Sequence, residues 1–144
     1  MLKKKIVCLA FGFMVCMMGA AGAQAQEAGP DDISPEMLAE LHKEPPLSQA
    51  DINVFIKIVP SISKVAKDDP EAAVAIYTAA GLSETRFALV FTKISLGMLV
   101  VNGVSLDYLK NDEQMPEVLL PTEADIALLN KNKDRLEQAF ALAQ

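Results

Sequence analysis

Cysteine is confined to positions 8 and 16 of this chain, and histidine to position 42. Both cysteines lie in a segment with the order of a secretory signal peptide: Met-Leu-Lys-Lys-Lys at residues 1–5, an apolar run over 6–18, then small residues over 19–25. The run is shorter than the roughly 20 apolar residues a spanning helix needs, and no basic stop-transfer flank follows it. Cleavage after Ala25, with Ala23 as the other site, is therefore expected in preference to a retained membrane anchor. Neither cysteine follows the Leu-small-small run of a lipoprotein signal, since Ile6-Val7 precede Cys8 and Met14-Val15 precede Cys16. A mature chain beginning at Gln26 has no cysteine, which excludes disulfides, thiolate metal ligands and cysteine nucleophiles together.

Positive charge is also scarce. The 13 Lys and Arg residues are outnumbered by 19 Asp and Glu, for a net charge of −6, and loss of Lys3, Lys4 and Lys5 with the signal takes it to −9. Such a chain is repelled by nucleic acid and anionic lipid head groups, so neither is an expected partner. A cationic partner stays open, although an acidic balance also serves solubility.

Reactive constellations are missing. There is no Gly-x-Ser-x-Gly elbow, His-Glu-x-x-His pair, glycine-rich phosphate loop or EF-hand loop. His42, at the end of a short helix beside Lys43 and Glu44, reads as an exposed residue favoured by the helix dipole. The carboxylate groups Asp68-Asp69-Glu71, Asp112-Glu113-Glu117 and Glu123-Asp125 read as helix caps and solvated loops, and the 111–117 loop lacks the spacing of a calcium loop. Met37, Met98 and Met115 are too scattered for a methionine copper carrier, and Met98 reads as core filler. No catalytic residue, metal ligand or cofactor is assigned.

The chain does contain well-marked helices. Ser34-Pro35 opens a short one to about His42, with Met37, Leu38 and Leu41 on one side; it is either a docked or a detached arm. Ser48-Gln-Ala-Asp51 is a capping box with Leu47 and Ile52 as its staple, and Ile52, Phe55, Val59, Ile62 and Ala66 form the buried stripe. Pro60 crowds the carbonyl of Ile56 and predicts a kink or a break near Val59. Asp69-Pro70 starts the next helix, which Gly81 stops with Leu82 folding back on Tyr77.

The central helix runs from the cap Ser83 to Asn102-Gly103. Phe87, Phe91, Ile94, Met98 and Val101 share one face, with Val90 and Gly97 beside it. Glu84, Thr85, Arg86, Thr92, Lys93 and Ser95 make up the polar side, where Arg86 and Lys93, on one face, are placed to pair with Asp or Glu of a neighbouring helix, or else form surface pairs of little net stability. Asn102-Gly103 also fits a β-hairpin joining 98–101 to 104–108, but the unbroken apolar period favours helix. One or two turns follow over 105–110. Thr122-Glu-Ala-Asp125 caps a last helix with Ile126, Leu129, Leu136 and Phe140 on one face, residues 130–134 mostly facing solvent, and the stem of Lys133 packed midway.

These readings predict an all-α fold: after a leader over 26–33, a single helical domain over 34–144, with four main helices around the 83–102 helix and one or two short extra ones. The small residues of 72–80 and Gly97 predict close approach of those two helices. Ala73, Ile76, Tyr77, Phe91, Ile94, Gly97 and Met98 are accordingly a candidate face for close packing or for an apolar ligand. The expected function is an exported, periplasmic or secreted, non-enzymatic module acting on a protein partner. The alternative is a small periplasmic carrier with an apolar molecule inside the bundle.

Overall fold

The computed structural model describes residues 34–66, 68–111 and 116–143. The signal segment with both cysteines, the leader, and residues 112–115 of the acidic loop lie outside the described residues. Within them the chain is helical without strands: α1 (Pro35–Lys43), α2 (Gln49–Val65), α3 (Pro70–Ala79), α4 (Glu84–Val101), α5 (Leu106–Lys110), a 3-10 turn (Glu117–Leu119), α6 (Glu123–Lys131) and α7 (Lys133–Leu142).

Local chemistry sets most of the helix ends. The side-chain oxygens of Ser34, Asp69 and Ser83 accept the N–H three residues on, at 3.2, 3.0 and 3.1 Å. Ser48 and Thr122 do the same as parts of reciprocal boxes. Asp51 and Asp125 return a carboxylate oxygen to the cap N–H, at 2.8 and 2.9 Å. α3 and α4 end alike. Gly81 and Gly103 adopt φ of 88° and 103°, and the following N–H reaches back across the turn, Leu82 to Tyr77 O at 3.0 Å and Val104 to Leu99 O at 2.9 Å. Asn102-Gly103 is thus a helix stop, not a hairpin turn.

α4 is buried on two sides. On one, Phe87, Val90, Phe91, Ile94 and Met98 join Ile52, Phe55, Val59 and Ile62 of α2, Ala73 and Tyr77 of α3, Leu129 of α6, and Leu136 and Ala139 of α7. Phe55 lies between Phe91 and Phe140, with ring centroids 5.7 and 5.6 Å away, and Tyr77 stacks on Phe87 at 4.5 Å. On the other side Ala88, Leu89 and Leu96 meet Leu41 of α1, Leu109 of α5, and Leu119 and Leu120 at the 3-10 turn. Leu41 is only 1% exposed, so the N-terminal helix is docked.

Four expectations are corrected. Of the kink or break expected near Val59, the break does not occur: α2 continues as one helix through Pro60. Ile52, Phe55, Ile58, Val59 and Ile62 are buried on both sides of the proline, and that packing outweighs one missing N–H. The last helix, by contrast, is two: it breaks at Asn132 (φ −105°, ψ 14°). There the Asn132 N–H bonds Leu129 O, and its side-chain Nδ2 donates at 2.9 Å to Leu128 O, the carbonyl a continuous helix would have used. Asn132 is consequently buried, within a stretch, 130–134, expected to face mostly solvent.

Thr92 and Lys93, expected on an exposed polar side, are also buried, because α4 packs on more than one face. Gly97, finally, is approached by α6 and not by the small residues of α3. A Cβ at that position would stand 2.1 Å from Leu129 Cδ1 and 3.6 Å from Pro121 Cβ.

Candidate functional site

The polar chemistry of the interior is organised by two cations of α4, seven residues apart and hence on one side of the helix. Lys93 Nζ donates to Asp125 Oδ2 at 2.9 Å, with side chains 10% and 3% exposed. Arg86 donates through Nη2 and Nε to both carboxylate oxygens of Asp51, through Nη1 to Pro45 O at 2.6 Å and through Nη2 to Pro46 O at 3.2 Å. Glu44 is a further ion-pair partner at 3.5 Å. The expected pairing of Arg86 and Lys93 with carboxylates of neighbouring elements exists; it is buried at Lys93 and part-buried at Arg86. Both carboxylates are the third residues of capping boxes, so each cation fixes the first turn of another helix.

A second polar lock was not legible in the sequence. The amides of Gln49 and Asn132 exchange two hydrogen bonds of 3.0 Å each, joining the start of α2 to the α6–α7 junction. The partners are 83 residues apart, and nothing local marks them.

The residues of the candidate face are placed as follows. Ala73, Tyr77, Phe91, Ile94 and Met98 are buried together in the larger apolar cluster, and Ile76 packs against it. Gly97 is buried with Leu129 filling the space beside it. Tyr77 also lines a shallow depression of about 300 Å³ along α3 and the start of α4, together with Glu71, Val74, Thr78, Leu82, Ser83 and Glu84. Burial foremost, and the negative charge of Glu84 second, push the Tyr77 phenol above its ordinary value. Glu71 was read as part of a capping and solvated group and Glu84 as part of the polar side of α4, because a carboxylate in a first helical turn is ordinarily explained by the dipole.

Around the smaller cluster the cover is thinner. Met37, Leu99, Val100, Val104 and Val118 pack against it only partly buried, and nearby in sequence Tyr108 of α5 is 49% exposed. His42 is exposed at the end of α1. Among the described residues no three His, Cys, Asp or Glu side chains gather as a metal site, and no helix is long and apolar enough to cross a membrane. Compared with protein-family models, with curated proteins and with solved structures, the chain matches none.

Proposed function

We propose that the mature chain is an exported, non-enzymatic helical module that acts by binding another protein. The observation that carries this reading is the smaller apolar cluster. It is covered by short elements, α1, α5 and the 3-10 turn, and is edged by half-buried Met37, Val104 and Val118 with Tyr108 exposed on α5. Aromatic residues presented this way are typical anchors of protein interfaces. The interior cations support the same reading, since Arg86 and Lys93 are committed to helix ends. An apolar ligand inside the bundle finds less support, because Leu129 occupies the space beside Gly97. In this proposal the apolar segment at 6–18 is the export signal and is removed.

Native mass spectrometry of the protein purified gently from its source cells tests the proposal. A co-purifying polypeptide that is lost in Tyr108→Ala, with the variant's urea midpoint unchanged, is the expected result. Turnover of a substrate in a broad hydrolase or isomerase screen contradicts it.

A further inference from the structure

The depression between α3 and α4 combines three properties. Part of its lining is apolar, from Val74, Leu82 and Tyr77. Part is acidic: Glu71 and Glu84 line it and have no ion-pair partner among the described residues. The third property is a hydroxyl without a hydrogen bond among the described residues. Tyr77 is 2% exposed and its ring lies flat on Phe87, yet its hydroxyl makes no hydrogen bond to a described residue. No side-chain oxygen cut off from solvent lacks a partner among the described residues, so this one opens into the depression it lines. There a bound group can take the place of water on the hydroxyl.

We propose that this depression binds a primary ammonium group carried on an apolar stem. The ammonium has three N–H donors, and the site offers three acceptors, the carboxylates of Glu71 and Glu84 and the Tyr77 oxygen. The stem lies on Val74 and Leu82. Glu84 already casts a negative field on the Tyr77 hydroxyl, and a bound cation neutralises it. The site stands apart from the protein-contact reading above, because a free amine satisfies it as well as a lysine side chain of a partner does.

The test is a proton–nitrogen NMR titration of the exported protein with n-pentylammonium chloride at constant ionic strength. Controls are n-pentanol, which keeps the stem without the charge, and pentyltrimethylammonium, which keeps the charge without N–H donors. The expected result is saturable shifts confined to amides of residues 71–84, with a Kd of about a millimolar, as few well-placed atoms can supply. Both controls bind at least about fivefold more weakly, and Glu84→Gln and Tyr77→Phe each weaken pentylammonium about threefold. A short peptide with one internal lysine distinguishes the sources: tighter binding than pentylammonium at the same amides assigns a partner's lysine, and weaker binding assigns a free amine. Pentanol shifting the same amides as strongly, or an unchanged Kd in Glu84→Gln, overturns the proposal.

Discussion

α2 and α6 begin alike and attach to α4 differently. Each opens with a capping box whose third residue is an aspartate, and each aspartate is met by a cation of α4. At α2 the contact is made by large groups, the Phe55 ring against Phe91 and a guanidinium that also holds Pro45 O, Pro46 O and Glu44. At α6 it is made by small ones, a glycine filled by Leu129 and one ammonium with one carboxylate. The difference is one of redundancy. A guanidinium's five donors spread over several acceptors, so losing one leaves others, whereas the buried ammonium has Asp125 as its one ion-pair partner among the described residues.

The largest test of this contrast is Asp125→Ala against Asp51→Ala. The first strands a buried ammonium and removes a cap bond, at a cost of about 3–5 kcal/mol. The second leaves Arg86 its carbonyls and Glu44, and should cost about 2 kcal/mol. Urea denaturation of both variants measures the gap, and equal losses would erase the distinction. Gly97→Ala comes next. Its methyl must displace Leu129, an overpacking cost of about 1–3 kcal/mol. In a Leu129→Ala background that cost vanishes, and alanine's helix propensity adds up to about 1 kcal/mol. Should Gly97→Ala cost the same in both backgrounds, α6 does not owe its close approach to the glycine. Arg86→Lys is milder, about 1–2 kcal/mol, since an ammonium keeps Asp51 but not the carbonyls of the 45–46 linker.

The smallest effect belongs to α3, which has no ion pair to α4 and leans on Tyr77 stacked over Phe87. The folded state holds the Tyr77 proton more firmly than the unfolded chain does. Stability is therefore unaffected below the ordinary phenol value of 10.0 and falls as pH rises from there through the folded-state value. In Tyr108→Phe, which leaves Tyr77 as the remaining phenol, an ultraviolet titration should reach half-ionisation above 10.0. Half-ionisation at or below that value removes this pH dependence.

What was legible in the chain follows from distance along it. The caps at Ser34, Ser48, Asp69, Ser83 and Thr122, and the stops at Gly81 and Gly103, are made by groups within five residues of one another, and all were readable. The all-α class follows from them. Features decided by distant partners were not readable. Asn132 breaks the last helix with Gln49 as its partner, and Gly97 is answered by Leu129, 32 residues on. Thr92 and Lys93 were misplaced because an apolar period identifies one buried face, and α4 is covered on more than one. The site was half visible. Tyr77 stood out as part of an apolar face, but its meeting with Glu84 depends on how the turn at Gly81 brings α3 against α4.

The claim that α4 holds its neighbours through their capping carboxylates is tested most directly by a double-mutant cycle at Lys93 and Asp125. Urea unfolding of Lys93→Met, Asp125→Asn and the combined variant yields the coupling energy. A coupling of about 1–3 kcal/mol is the predicted result, with the double variant more stable than the sum of the single losses. Additivity to within about 0.5 kcal/mol would contradict it, and would reduce the pair to two side chains that merely lie side by side.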